Sequence, residues 1–139
     1  MSFVVLGSAC EVRGVVEHGD RRGRTLGFPT ANVAVGGDVV LPGDGVYAGG
    51  YLLPGEVWWP AAVSVGRRPT FYQDNGLLLV EAFLLDFDGD LYGQRTAVRM
   101  THFIRGQERF DSVPDLVAQM ERDVVAVRAA LASSGWPLQ

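Results

Sequence analysis

The chain has 139 residues, 47% hydrophobic, 20% charged and 10% aromatic, with a formal net charge of −4. That length suits one domain over residues 1–139 with a buried core, and the composition excludes disorder and collagen-like repeats. All 12 positive charges are arginine, which excludes a P-loop kinase and Schiff-base chemistry, since each needs a lysine. An acidic chain is also a poor electrostatic match for nucleic acid or an anionic membrane surface.

Glycine is the compositional outlier, 18 of 139. A chain that is glycine-heavy yet apolar needs many turns and close backbone approaches, which tilts the expectation toward an all-β domain. The single cysteine, Cys10, has no internal disulfide partner, and a reducing compartment suits it. No charged-then-apolar leader opens the chain, and runs such as residues 77–80 are far too short to span a bilayer. The expectation is a cytoplasmic domain with no nucleic-acid and no membrane partner.

In chain order, residues 10–17 alternate as a strand and run into a stretch rich in glycine and arginine, residues 19–27. Residues 45–53 and 57–65 are rich in valine, tyrosine and tryptophan, with Pro54-Gly55 between them, and predict two strands joined by a short turn. Residues 77–87 and 94–104 predict a second such pair, with Asp88-Gly89 favouring a turn of positive φ. A helix is expected over about 113–132. Ser112-Val113-Pro114-Asp115 has the capping-box layout, and Val113, Leu116, Val117, Met120, Val124, Val127 and Leu131 form one apolar stripe. Gly135 and Pro137 stop it. Strands over about 10–111 followed by one amphipathic helix suggest a small barrel or rolled sheet with the helix packed outside.

The most informative segment is Gly23-Arg24-Thr25-Leu26-Gly27-Phe28-Pro29-Thr30-Ala31-Asn32. Its glycines allow the backbone to approach a ligand and turn amides toward it. Thr30 and Asn32, two apart, share a face when extended. A hydroxyl beside a carbonyl oxygen offers hard neutral ligands that suit Mg²⁺ carrying nucleotide phosphates; the alternative is a glycine-rich hairpin loop with an Asx turn. Glu81 is out of character in Leu78-Leu79-Val80-Glu81-Ala82-Phe83-Leu84. It either lies on a solvated face or is held for proton transfer, with burial raising its pKa toward that of a useful base.

Other groups carry less. Asp86, Asp88 and Asp90 resemble the start of a calcium loop but lack the downstream glutamate, and are expected at a hairpin tip. His18 and His102 have no partners at ligand spacing. Arg21, Arg22 and Arg24 are either a solvated loop or an attractor of phosphates. Trp58 and Trp59 suit strand packing, and Cys10 has no histidine partner to mark it as a nucleophile.

Residues 23–32, Gly45-Val46-Tyr47, Val63-Ser64-Val65-Gly66-Arg67-Arg68-Pro69-Thr70-Phe71 and Val80-Glu81-Ala82 occur in that order. They are followed by Leu85-Asp86-Phe87-Asp88-Gly89-Asp90-Leu91-Tyr92-Gly93, Ile104-Arg105 and Arg109-Phe110-Asp111-Ser112. Together they resemble the riboflavin kinase family, in particular the kinase domain of bacterial bifunctional riboflavin kinase/FAD synthetases, over residues 12–131. The resemblance implies a six-stranded antiparallel Greek-key barrel with a C-terminal helix, and transfer of the ATP γ-phosphate to the terminal ribityl hydroxyl of riboflavin, giving FMN and ADP. It implies Mg²⁺ with ATP, held by Thr30 and Asn32, and a nucleotide loop contributing Gly23, Arg24, Gly27 and Phe28. Glu81 matches the catalytic base, and Arg105 and Phe110 fall in the loop that closes over the flavin. The implied partners are riboflavin/FMN and ATP/ADP. The N-terminal FMN adenylyltransferase domain of the bifunctional enzymes has no counterpart in residues 1–22, so the chain reads as a single-activity kinase or an excised domain. A non-catalytic flavin-binding module on the same barrel is the alternative from another class.

Overall fold

The computed structural model describes residues 4–17, 30–35, 42–68 and 77–134. Among the described residues, six strands, β1 (Val4–Glu17), β2 (Thr30–Val35), β3 (Gly45–Leu53), β4 (Val57–Arg68), β5 (Leu77–Leu84) and β6 (Arg95–Arg105), precede one helix, α1 (Val113–Ser134). The strands close into an antiparallel barrel in the order β1-β2-β5-β4-β3-β6. The barrel and its C-terminal helix match the expected fold class.

Side chains alternate across each strand, so every second residue points into the barrel. Val12, Ala31, Val63, Val80, Ala82 and Met100 lie inside at 2% exposure or less, in one cluster with Tyr47 and Tyr51. The β3–β4 turn forms at the expected place: Gly55 and Glu56 both take positive φ, 83° and 61°, the left-handed conformation that glycine adopts most readily. Gly49 is required for a different reason. A Cβ there would lie 1.6 Å from the Arg99 carbonyl oxygen, so only glycine lets β3 and β6 approach.

One expected pairing is corrected. Residues 77–87 and 94–104 do not form a hairpin with each other; β5 pairs with β2 and β4, and β6 pairs with β1 and β3. The connection between β5 and β6 carries the expected turn residues, with Gly89 at φ 150° and Asp90 Oδ1 accepting the Tyr92 amide at 3.0 Å. It nevertheless crosses from one side of the barrel to the other, because each strand's edges are taken by longer-range partners. Asp86, Asp88 and Asp90 lie in this connection.

A second apolar cluster lies outside the barrel, where Ala48, Ala62 and Leu85 meet Val127, Ala130 and Leu131 of α1. Small side chains on β3 and β4 let the helix sit close to the sheet. The Ser112 hydroxyl accepts the Asp115 amide at 3.2 Å, and the Ser112 carbonyl accepts the Leu116 amide, so the helix starts at its expected cap. Val113 departs from the expected stripe at 45% exposure. The buried face instead includes Asp123, a carboxylate the stripe did not contain. Gly135 and Pro137, expected to end the helix, lie outside the described residues.

Candidate active site

The strand registers set a row of residues across the outer face of the barrel. Asn32 on β2 pairs with Glu81 on β5, Glu81 with Ser64 on β4, Ser64 with Val46 on β3, and Val46 with Arg105 on β6. Directly opposed residues of antiparallel strands share a face, so five strands contribute to one line of side chains. The strand neighbours Ala31, Ala82, Val63 and Tyr47 point inward and are at most 3% exposed. Glu81 therefore lies on the outward side of a strand whose other side builds the core, with Phe83 beside it on the same side. A bulge between Val46/Arg105 and Tyr47/Phe103 inserts Ile104. Such an insertion puts the two residues of the bulged strand on nearly the same side and brings Arg105 into the row.

A second row two residues along runs Thr30, Phe83, Ala62, Ala48 and His102. Above these rows lies a cavity of about 270 Å³, walled by the first half of α1 and by the connection from β6 to α1. Thr30, Glu81, Ser64, Arg105, Gln107 and Glu108 give it polar groups, and Val46, Ala62, Phe83, Phe110, Leu116 and Met120 give it an apolar flank. Of the residues expected at the site, Thr30, Glu81, Arg105 and Phe110 thus line one cavity, and Asn32 stands beside Glu81 in the same row. Gly23, Arg24, Gly27 and Phe28 lie outside the described residues, as do His18, Arg21 and Arg22.

Two groups unforeseen in the sequence hold the wall in place. Asp123 of α1 receives a forked pair of hydrogen bonds from Arg105, Nε to Oδ1 and Nη2 to Oδ2, both 2.8 Å. Their side chains are 18% and 7% exposed, and Gln119 Nε2 adds a 2.9 Å bond to Oδ1. Planar matching of guanidinium and carboxylate makes this a strong, orienting contact. It fixes Arg105 with its guanidinium carbon 5.9 Å from the Phe110 ring centroid, the outer limit of a cation–π contact. The second group is Gln107, whose Nε2 donates to Ser64 Oγ and the Val65 carbonyl, both at 2.9 Å. Asp123 had one local signal, a carboxylate four residues after Gln119 within an apolar helix face; Gln107 had none.

Thr30 and Asn32 supply a hydroxyl and an amide oxygen beside the Glu81 carboxylate. Among the described residues no group of three or more His, Cys, Asp or Glu side chains is placed to hold a metal ion. Few hard oxygen donors with room for more is the arrangement that fits Mg²⁺, which keeps waters and takes phosphate oxygens as its other ligands.

These features describe a cavity with polar and apolar walls on the outside of a closed β-barrel, and the comparisons identify the family. The flavokinase model, riboflavin kinase, matches residues 6–131; the chain belongs to the riboflavin kinase family. A bifunctional riboflavin kinase/FMN adenylyltransferase of Listeria monocytogenes is 40% identical over 128 residues, which are 92% of this chain and 40% of that protein. The chain spans about two-fifths of the length of the curated relatives it matches. Among solved structures, a riboflavin kinase from Trypanosoma brucei superposes with a TM-score of 0.67 at 30% identity, covering 89% of this chain and 80% of that one. A Streptococcus pneumoniae structure named as a macrolide-efflux protein reaches 0.76 at 37% identity, covering 85% of this chain and 38% of that one. Among the described residues here, no helix is long and apolar enough to cross a membrane.

Proposed function

We propose that the chain is an ATP:riboflavin 5′-phosphotransferase. The observation that carries this reading is the register row that sets Glu81 between Asn32 and Ser64, next to Thr30, at the floor of a cavity with an apolar flank. The apolar flank of Phe83, Phe110, Leu116 and Met120 suits a flat heteroaromatic ring, and the polar floor suits its hydroxylated chain. Arg105 at the end of β6 and Phe110 in the connection from β6 to α1 contact the flavin.

The terminal ribityl hydroxyl attacks the γ-phosphorus of ATP. An O–P bond to the ribityl oxygen forms, the bond from γ-phosphorus to the β,γ-bridging oxygen breaks, and ADP leaves with that electron pair. Glu81 accepts the hydroxyl proton. A primary alcohol is a weak nucleophile, and a positioned base contributes roughly 10²–10⁴-fold. The rest of phosphoryl transfer is positioning and charge neutralisation, which a chain without lysine achieves with oxygen donors and backbone amides. Thr30 and Asn32 would hold Mg²⁺ with the nucleotide phosphates, and the ion when bound neutralises phosphate charge. Gly23, Arg24, Gly27 and Phe28 complete the nucleotide site. A cytoplasmic setting, where ATP is supplied, suits this activity. The relatives' names pair this activity with FMN adenylyltransferase, whose substrate is the FMN made here.

The test is incubation of the chain with riboflavin, ATP and Mg²⁺ and separation of the flavins by chromatography with fluorescence detection. FMN that depends on both ATP and Mg²⁺ is expected. Riboflavin that binds but stays unphosphorylated would overturn the catalytic reading in favour of a binding module.

A further inference from the structure

The connection between β6 and α1 reaches the cavity through one aromatic ring, Phe110, and its course is set by few contacts. Gln107, Glu108, Arg109 and Asp111 are exposed. Arg105 is held by Asp123 at one end, and Ser112 caps α1 at the other. Between them, the side chain of Gln107 turns back onto the barrel. Its Nε2 lies 2.9 Å from Ser64 Oγ, 2.9 Å from the Val65 carbonyl and 3.4 Å from the Gly45 carbonyl. It packs over Gly66 closely enough that a Cβ there would meet Nε2 at 3.4 Å. All three partners are oxygens, so the carboxamide of Gln107 acts here as a donor, from a side chain that is itself exposed. Ser64 is also the direct cross-strand neighbour of Glu81. One side chain therefore links the strand beside Glu81 to the segment that carries Phe110.

The geometry points to Gln107 as a positioning residue for the acceptor substrate: its carboxamide ties the Phe110 segment to β4 beside Glu81 and holds the cavity at the width the flavin needs. This inference rests on the riboflavin kinase reading of the same cavity. Only residues 108–111 separate the Gln107 anchor from the Ser112 cap. Loss of the anchor leaves this stretch free to carry Phe110 away from the site before riboflavin binds, and the binding equilibrium then bears the cost of ordering it. The nucleotide donors Thr30 and Asn32 stand on β2 and are untouched by that motion.

The experiment uses Gln107→Met, close in length but without a donor, and Gln107→Asn, which keeps a carboxamide but falls short of β4. Riboflavin titrations followed by flavin fluorescence should give Kd about five- to tenfold higher for both, the loss of roughly one net hydrogen bond. The KM for riboflavin should rise in step while kcat and the KM for Mg-ATP stay within about twofold, a split that general destabilisation does not produce. Ser64→Ala should show a smaller rise, and Ser64→Ala/Gln107→Met should bind no worse than Gln107→Met alone, because the two side chains share one bond. Unchanged riboflavin Kd, equal weakening toward both substrates, or strictly additive losses in the double variant would each overturn the role. Wild-type chain that binds riboflavin without making FMN would overturn the kinase reading alone, since the titrations still report on Gln107. Wild-type chain that binds no riboflavin would overturn both.

Discussion

Replacing Asp123 by alanine strips the Arg105 guanidinium of its counter-charge in the cleft between β6 and α1. In the native structure the pair is bidentate at 2.8 Å, and the side chains of Arg105 and Asp123 are 18% and 7% exposed. Removing one partner of a buried ion pair costs about 3–5 kcal/mol, because the remaining charge stays desolvated. The residual exposure of Arg105 lets water reach part of the guanidinium, which discounts this case to just below that range, about 2–3 kcal/mol. Gln119 loses its acceptor as well. For a domain of this size, about 4 °C of melting temperature corresponds to each kcal/mol, so the variant should melt about 8–12 °C below wild type. Far-ultraviolet circular dichroism through the thermal transition reads this directly. Arg105→Met/Asp123→Leu removes both charges and fills the space with apolar volume, and should recover most of the loss while still binding riboflavin poorly. A shift under about 2 °C in the single variant, or a double variant as unstable as the single, would refute the reasoning that an uncompensated charge is what the mutation creates.

Glu81→Gln keeps the side chain's size but removes the proton acceptor. Its kcat should fall roughly 10²–10⁴-fold with riboflavin Kd near wild type; stopped assays for FMN at wild-type rate would reject Glu81 as the base. Gly49→Ala sets a methyl against the Arg99 carbonyl at an unrelaxed distance of 1.6 Å, forcing β3 from β6, and should cost at least about 3 kcal/mol in denaturant unfolding; a near-neutral result would mean the two strands separate easily. His102 is 2% exposed, and desolvation lowers its pKa below the ordinary 6.5. The unfolded chain therefore binds the proton more readily than the native one, so this contribution is full above about pH 6.5 and is lost as pH falls below it. Urea unfolding between pH 7.5 and 5 should show that decline, and His102→Gln should flatten it; an unchanged slope in the variant would assign the decline elsewhere.

The strands were readable wherever alternation and turn residues coincide. Residues 45–53 matched β3 at both ends, and the Ser112 cap marked the start of α1 to the residue. Partner choice was not readable in the same way. Residues 77–87 and 94–104, with Asp88-Gly89 between them, look locally like a hairpin, yet β5 and β6 belong to different neighbours. Turn chemistry is a property of a few adjacent residues, whereas closing the barrel satisfies the edges of all six strands at once. The helix stripe was right from Leu116 onward and missed Asp123, because a carboxylate on an apolar face is stable there only with Arg105 arriving from another strand.

The roles of Thr30, Asn32, Glu81 and Phe110 came from the resemblance to riboflavin kinases; sequence alone determined a strand-rich domain with a helix packed outside it, and the cap and face of that helix. Those are consequences of periodicity, turn preferences and side-chain chemistry, which act over a few residues. Only the tertiary structure decided that Asn32, Glu81, Ser64, Val46 and Arg105 form one row, and that Gln107 and Asp123 hold the wall above it. Register between strands far apart in the chain is set by the whole barrel's packing, and shifting a strand by one residue would turn its outward side chains inward.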